Sequence, residues 1–266
     1  MTALSDSTLS RCPDIFAFHF SLNRHFSRNY DFVGETHPFY ELVYVVSGSV
    51  GVTAGDEVYT LFEGQMLLHD PDEFHRIWTD DKSDAHVLNL SFYAASMPFC
   101  QGRVLEPELD EREELLVICD GVQKGLISCN RAMLNEQRMR LELWLLRMMG
   151  KGGSTVAPLG SASALRYAEI ANLLRAHLHE SLTAQDIARM SNMSLSSLKK
   201  IFSRYAGMGV VGYFTEMKMR RAVVLLKNGM RVGEVASALG YADQNYFSTV
   251  FHRVMGVVPG FFRANE

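Results

Sequence analysis

Hydrophobic and polar positions alternate with a period of two in the first third of the chain. β-branched and aromatic residues form short runs over residues 14–92, and Gly48, Gly55, Gly64 and Pro71 separate them. A two-residue period broken by turn residues is typical of short strands, and many such strands in succession favour a β-barrel or β-sandwich. The runs are FAFHF, FYELVYVV, VGVTA, EVYTLF, QMLL and HVLNLSF.

The pattern changes to a helical period after these strands. Residues 106–126 and 130–149 carry apolar side chains three and four positions apart. These helices pack either beneath the barrel or against a second subunit, and the pattern leaves both open. The apolar stripe of the second helix contains Leu134, Leu141, Leu145 and Met148.

A segment rich in Gly, Ser and Pro then interrupts the periodic pattern and indicates a linker over residues 151–164. The chain is thereby divided into a domain over 1–150, with the barrel at about 14–92 and helices at about 106–149, and a helical domain over 165–266. The predicted fold class is α+β with more than one domain.

Two segments of the helical domain fit a helix-turn-helix, which is a short helix, a tight turn and a second helix. The first covers residues 183–204 and has Asn192 at its turn, where a residue that tolerates left-handed backbone is needed. The second covers residues 232–254 with Gly240 at the turn, and a helix over 210–227 connects the two. One such match is a weak signal, but two joined by one long helix are a strong one.

The small and apolar positions of these segments predict how the helices pack. Ala188 and Ala236 are small where we expect the helices to cross. The predicted cores contain Ile187, Met190, Leu198 and Ile201 in the first segment and Val235, Leu239, Phe247 and Phe251 in the second.

The charge is distributed unevenly along the 266 residues, whose formal net charge is −4. Residues 1–160 hold 13 Lys and Arg against 23 Asp and Glu, whereas residues 161–266 hold 13 against 7. A basic helical module joined to an acidic module is typical of a DNA-binding domain attached to a domain with another task. The asymmetry is a weak signal by itself, and it agrees with the two helix-turn-helix patterns.

The sequence gives no sign of a membrane or an oxidising compartment. No apolar run is long enough to cross a bilayer, and MTALSDSTLSRCPD lacks the features of a secretory signal. The cysteines Cys12, Cys100, Cys119 and Cys129 form no Cys-x-x-Cys pair, which predicts free thiols. We therefore expect a cytoplasmic protein.

The last hundred residues resemble the DNA-binding domain of the AraC/XylS family of transcription regulators. The resemblance departs at Lys218, where Arg is commoner, and at Thr249 and His252, where Arg and Lys are frequent, so the second unit carries less positive charge. The matching positions, between Phe214 and Arg263, include Gly240-Tyr241, Tyr246-Phe247, Phe251, Gly256, Pro259 and Phe262-Arg263.

The resemblance implies that the second helix of each unit enters the major groove, in successive grooves about one turn apart. Lysine and amide side chains there are suited to base edges and phosphates, although for any single residue a solvated surface position is the alternative. In the first helix we expect Ser194 at the cap, Ser196, Lys199 and Lys200 at or near bases, and Ser197 and Arg204 on phosphates. In the second helix we expect Gln244, Asn245 and Thr249 to contact DNA, with the amides suited to adenine.

The N-terminal half resembles, more loosely, the cupin-like effector-binding domain of the same family. The matching residues are His37-Pro38-Phe39-Tyr40-Glu41, Gly48, Glu63-Gly64 and Pro71-Asp72-Glu73-Phe74-His75. Strand parity places His37, Phe39 and Glu41 on one face, which we expect to be the barrel interior. The resemblance implies a small-molecule effector, most commonly a sugar or oligosaccharide, bound by His37, Phe39, Glu41 and His75, with Tyr44, Tyr59 and Trp78 along its pocket.

Metal-binding cupins use two histidines and a glutamate of this first motif and a histidine of the second. Glu35 stands where the first of those histidines would be, so we expect no metal and no cofactor. Two alternatives stay open for His37, Glu41 and His75: they satisfy one another in the interior, or they hold a metal with an incomplete ligand set.

The expected function is that of a transcription regulator without enzymatic activity. The expected partners are double-stranded DNA, a small-molecule effector, RNA polymerase and a second copy of the chain. The alternatives are a metal-dependent cupin enzyme, or an interaction module without a ligand, joined to the same DNA-binding domain. Neither alternative explains the duplicated helix-turn-helix.

Overall fold

The computed structural model describes residues 13–82, 84–97, 104–150 and 161–262, and the chain forms two compact units. The first unit comprises Met1–Asp31, Glu35–Val52 and Tyr59–Pro158, and the second comprises Phe32–Gly34, Thr53–Val58 and Leu159–Glu266. Most of the predicted linker, together with Cys12 and Cys100, lies outside the described residues. The division at residues 150 and 165 stays a prediction.

The described residues form eight strands, in the places where β-branched and aromatic residues are concentrated. All six predicted runs fall on strands, whereas β6 and β8 are too short to show a period in the sequence. The strands are β1 (Asp14–Phe26), β2 (Tyr40–Ser47), β3 (Ser49–Ala54), β4 (Glu57–Phe62), β5 (Met66–His69), β6 (His75–Trp78), β7 (Ala85–Ser96) and β8 (Val104–Leu105).

The strands form two sheets, one of five strands in the order β1-β7-β2-β5-β8 and one of three in the order β4-β3-β6. The pairs of the larger sheet are antiparallel, and in their register Glu41 of β2 lies opposite Ser91 of β7 and His69 of β5. The predicted fold class is confirmed, with a two-sheet β domain followed by helices.

Helices α1 (Leu109–Ile127) and α2 (Arg131–Gly150) share one apolar core with the five-stranded sheet. Trp144 is fully buried in this core, and its indole N–H donates to the carbonyl of Glu111 at 2.9 Å. Intradomain packing therefore accounts for one face of these helices. Tyr44 also belongs to this core, and its parity is opposite to that of Glu41, so its expected place along a pocket with Glu41 was wrong.

The second unit is helical, and its helices begin and end close to the predicted positions. No helix within the described parts of the chain is long and apolar enough to cross a membrane. The helices are α3 (Ala162–Ala176), α4 (Ala184–Met190), α5 (Leu195–Ala206), α6 (Val210–Lys227), α7 (Val232–Ala238) and α8 (Gln244–Met255), followed by a 3₁₀ turn at Pro259–Phe262.

Both helix-turn-helix turns use the same backbone arrangement. Asn192 and Gly240 have φ of +52° and +75°, so the left-handed conformation expected at both positions is confirmed. In each unit the N–H of the next residue donates to the carbonyl of the small alanine, at 2.8 Å to Ala188 and 2.9 Å to Ala236. This bond closes the end of the preceding helix and sets the direction of the second one.

The predicted cores of the two helix-turn-helix segments are confirmed at seven of their eight positions. Met190 is the exception, since its side chain is exposed. It is the last residue of α4, and no following helical turn covers it. Around the first helix-turn-helix segment, the aromatic rings of Tyr167 on α3, Phe202 on α5 and Tyr213 on α6 pack together, with centroids 5.3 to 5.9 Å apart.

Lys218 on α6 is buried, which the sequence did not predict. Its ammonium group donates to the carbonyl of Glu180 and, at 2.8 Å, to the carbonyl of Leu239 at the end of α7. The rings of Phe214 and Tyr241 lie about 5 Å from the same nitrogen, and burial lowers the pKa of Lys218 to about 8. One side chain thus joins the segment before α4 to the end of α7.

Candidate functional site

Helix α5 presents one packed face and one exposed face. Ser194 begins the helix, where its hydroxyl accepts from the Ser197 N–H at 3.1 Å and donates to the Ser197 hydroxyl at 2.9 Å. Leu198, Phe202 and Tyr205 are buried on the packed face. The hydroxyls of Ser194 and Ser197 are therefore already engaged in the cap.

The exposed face of α5 carries the basic side chains predicted to contact DNA. Ser196, Lys199 and Lys200 are all exposed and recur three and four residues apart, so they share one side of the helix. Arg204 is exposed one turn further, and its guanidinium lies 5.4 Å from the ring centroid of Tyr205. Three cations thus lie along the helix surface away from the core.

Helix α8 occupies the corresponding place in the second unit but has a different surface. Asp243 caps it by accepting from the Tyr246 N–H at 2.9 Å, and it also accepts from the Asn245 N–H. Gln244, Asn245 and Thr249 are exposed as predicted, and the Thr249 hydroxyl donates to the Asn245 carbonyl at 2.9 Å. The first two turns of this helix carry amides and hydroxyls and no cation.

Tyr246 is a surface residue of α8 that was assigned no DNA contact from the sequence. Its side chain is 63% exposed and lies beside Asn245, while Phe247, Val250 and Phe251 form the buried face. An aromatic residue outside the apolar stripe of a recognition helix was the available signal. From the sequence, Tyr246 was used only as part of the Tyr246-Phe247 pair that carries the family resemblance.

In the N-terminal compact unit, four polar side chains meet at one place: Glu35, His37, Glu41 and His75. One nitrogen or oxygen atom from each lies within 4.8 Å of the others. His37 Nε2 is 3.4 Å from Glu41 Oε2, and His75 Nε2 is 3.8 Å from Glu35 Oε1. The structure therefore brings together the polar residues expected at the effector site and adds Glu35 to them. We call this group the His–Glu cluster.

Backbone pairing and ring stacking hold the cluster in place. Glu35 and His75 exchange two backbone hydrogen bonds, at 2.9 and 3.0 Å, as an isolated antiparallel bridge. The His37 ring stacks on Phe39 with centroids 3.7 Å apart. Phe39, which was expected to bind the effector, thus also orients His37.

Glu41 is buried within the cluster, where two side chains donate hydrogen bonds to it. Its carboxylate accepts from Asn89 Nδ2 at 2.6 Å and from Ser91 Oγ at 3.1 Å. Burial opposes ionisation, but the contact with His37 and the nearby His75 outweigh it and lower the pKa of Glu41. Burial also disfavours the charged form of an imidazole, and it therefore lowers the pKa of His75.

Three further residues support the cluster that the sequence did not single out. The His69 ring stacks on His75 at 4.2 Å between centroids. Asn89 and Ser91 alternate along β7 with the apolar Leu88 and Leu90. Such polar positions read as solvent-facing in a sequence, but here they face Glu41. The alternation of polar and apolar residues along β7 was the available signal for Asn89 and Ser91. It did not show that the polar face of this strand is covered as well.

Comparison with known families agrees with both halves of the chain. Residues 187–265 match a family described as helix-turn-helix domain, and residues 20–110 match the AraC-like ligand binding domain. The chain belongs to the AraC family of transcription regulators. As an AraC-type protein it combines a DNA-binding domain with a ligand-binding domain and acts in transcription regulation.

Relatives of the AraC-type chain are also regulators. The HTH-type transcriptional regulator YfiF of Bacillus subtilis (strain 168) is 23% identical over 256 residues, which cover 90% of this chain and 81% of that protein. The HTH-type transcriptional activator RhaR of Mannheimia succiniciproducens is 23% identical over 86% of both chains. RhaR of Pectobacterium atrosepticum is 33% identical over 93 residues, so that match spans about a third of each protein.

Two solved structures superpose on this chain with low TM-scores. The C-terminal domain of AraT from Geobacillus stearothermophilus matches 39% of this AraC-type chain and 87% of its own, with 28% identity and a TM-score of 0.37. ToxT from Vibrio cholerae O395 matches 94% of this chain and 99% of its own, with 15% identity and a TM-score of 0.38.

Proposed function

We propose that this regulator reads DNA with α5 and α8 and that a small molecule bound at the His–Glu cluster controls it. The observation that supports the DNA-reading part best is the exposed face of α5. Lys199 and Lys200 extend from a helix whose other face is packed and whose start is fixed by a cap. A packed helix with exposed cations on one side fits the major groove of DNA.

The two recognition helices have complementary tasks in this proposal. Ser196, Lys199 and Lys200 contact or approach base edges, while Arg204 and the capped start of α5, with Ser194 and Ser197, contact phosphates. Gln244, Asn245 and Thr249 of α8 read bases in the next major groove. Adenine is the favoured partner of the two amides because they can bond to it through two atoms.

The test is a selection of genomic DNA fragments by the purified full-length protein, with heparin as competitor. We expect enrichment of a site with two short elements about 10 base pairs apart between centres, since the helices of such a pair occupy successive grooves. Retention of fragments without a common sequence would contradict sequence-specific binding. A single element would contradict the assignment of α8.

For the effector, we propose that His37, Phe39, Glu41 and His75 form the polar end of its site, with a sugar or oligosaccharide as the expected class. Buried hydrogen-bonding groups beside aromatic rings suit a polyol. Replacing His37 or Glu41 by Ala should remove the effect of the ligand on DNA binding. DNA affinity without ligand serves as the folding control, because its simultaneous loss would indicate a misfolded protein.

We further propose a homodimer that associates through α2. Met139, Leu143 and Leu146 are each about half exposed and recur at intervals of four and three, which places them on one stripe outside the core shared with the sheet. Replacing Leu143 and Leu146 by Glu should convert the dimer to a monomer in light scattering. A monomeric wild-type protein would contradict this proposal.

The remaining expectations concern where and how the protein acts. We propose that it works in the cytoplasm, contacts RNA polymerase and performs no catalysis of its own. Transcription in vitro with purified polymerase, a promoter fragment and this protein tests the polymerase contact. A change in transcript yield without any other component supports it, and an unchanged yield at saturated promoter DNA contradicts it.

A further inference from the structure

The His–Glu cluster contains hydrogen-bond acceptors that face one another without a donor between them. The Nδ1 atoms of His37 and His75 lie 3.0 and 3.1 Å from the carbonyl oxygens of Phe39 and Glu73. A carbonyl oxygen only accepts, so each Nδ1 carries the hydrogen. In the neutral rings both Nε2 atoms are then bare lone pairs.

Each of these two nitrogens lies within 4 Å of a carboxylate oxygen, and a carboxylate also only accepts when ionised. His37 Nε2 and His75 Nε2 are buried, and neither has a hydrogen-bond partner. Their nearest charged neighbours are Glu41 Oε2 at 3.4 Å and Glu35 Oε1 at 3.8 Å. Buried polar atoms left without a partner cost free energy, so the arrangement calls for a positive charge in its centre. A cation between the four groups would give both Nε2 lone pairs and both neighbouring carboxylates a partner at once.

We propose that Glu35, His37, Glu41 and His75 bind one divalent first-row transition metal ion, of which Zn²⁺ is the prototype. Two imidazoles favour such a metal over Mg²⁺ or Ca²⁺, which prefer oxygen ligands alone. This inference deepens the proposed effector site, on which it rests, and it replaces the expectation from the sequence that the site holds no metal. An organic effector would then bind through an oxygen atom to the metal.

The surroundings of the four groups match those of metal ligands. Each histidine has its other ring nitrogen fixed by a backbone carbonyl, and Glu41 is held by Asn89 and Ser91. The ligand atoms are spread over up to 4.8 Å, whereas tetrahedral zinc needs about 3.3 Å between ligands at bonds of about 2.0 Å. The Glu35 side chain is half exposed, so it has the freedom to close this difference.

The test uses the full-length protein, stripped with a chelator and then titrated with Zn²⁺ by calorimetry, with bound metal measured by elemental analysis. We expect about one ion per chain, and a visible absorption band with Co²⁺ in its place. The double substitution His37→Gln and His75→Gln should weaken Zn²⁺ binding at least ten-fold and abolish the band. Gln fills the space of His, and thermal unfolding of the stripped proteins checks that the variant is folded.

His25→Gln is the matched control, because His25 is an exposed histidine of the same unit. It should bind Zn²⁺ as the wild type does. Equal affinities for the wild type and the double variant would overturn the proposal, as would a wild type without bound metal. The metal measurement needs neither DNA nor effector, so its failure leaves the selected DNA sites and the ligand response to be judged separately.

Discussion

The two helix-turn-helix units share a backbone plan but differ in what restricts each turn and in what each recognition helix offers to DNA. Asn192 and Gly240 adopt the same left-handed conformation, but only at Gly240 does a neighbouring backbone come close. A Cβ there would lie 2.3 Å from the carbonyl oxygen of His179. A turn can thus be fixed by conformation alone or by conformation and contact together.

The surfaces differ in the opposite sense. The recognition helix of the first unit exposes Lys199, Lys200 and Arg204, while the first two turns of α8 expose amides, hydroxyls and the ring of Tyr246 but no cation. The first unit is therefore suited to strong, salt-dependent binding and the second to discrimination among bases. Equivalent folds in one chain need not contribute equally to affinity.

The largest effect is expected from substitution at the second turn. Gly240→Ala should lower the free energy of unfolding of the second unit by about 3 kcal/mol or more, because backbone strain and the contact with His179 add. Asn192→Ala should cost only about 1 kcal/mol, since strain alone is involved. Hydrogen exchange in urea, followed at α4 and α7, distinguishes the two turns. Equal losses would show that the close contact has no energetic weight.

DNA binding should separate the two recognition helices next. Lys199→Ala with Lys200→Ala should weaken binding by about 10- to 100-fold and reduce the slope of log K against log salt by up to about 1.8, because a cation held near a base edge also displaces counterions from the phosphates on either side of the groove. Asn245→Ala with Thr249→Ala should leave the slope unchanged and reduce discrimination between the selected site and its mutated versions. Fluorescence anisotropy over a range of salt measures both quantities. An unchanged slope in the lysine variant would refute the assignment of α5.

Lys218 tests whether the two units depend on each other. Lys218→Met should destabilise the second unit by about 2 kcal/mol, because the carbonyls of Glu180 and Leu239 lose their donor. The pKa of Lys218 is about 8 in the folded protein and about 10.4 in an unfolded chain, so the folded state binds this proton less tightly. The stability difference between the wild type and Lys218→Met should therefore grow from pH 8 towards pH 10.4 and become smaller as the pH falls through 8.

Urea unfolding of both proteins at several pH values within this range measures the difference. A stability gap that stays constant with pH would contradict the depressed pKa. Lys218→Arg keeps a donor to both carbonyls and is the matched control.

The smallest effect concerns the caps. Ser194→Ala and Asp243→Ala should each cost about 1 kcal/mol, because each removes the acceptor for N–H groups in the first turn of its helix. The loss should be greater at Asp243, whose charge also interacts with the helix dipole, and high salt should reduce only that excess. Thermal unfolding at low and high salt provides the comparison, and an equal response to salt would count against it.

Local patterns predicted most of the fold, and contacts between distant segments explain what they missed. The connecting helix was placed at its exact limits because an apolar stripe ends at Asn228 and Gly229. Strand parity was the reason given for placing His37 beside Glu41, but His37 and Phe39 lie before β2, which begins at Tyr40, and the approach of Glu35 to His75 depends on pairing across 40 residues. Burial of Lys218 and exposure of Met190 likewise depend on neighbours that no local period describes.

Helix α6 has 18 residues and is therefore about 27 Å long, and as one continuous helix it connects the two helix-turn-helix units. A rod of this kind cannot stretch or rotate to follow a misplaced sequence. Adding five base pairs between the two elements of a promoter site would turn the second element to the opposite side of the duplex. Helical phase, as much as base sequence, should therefore decide which promoters respond to this protein.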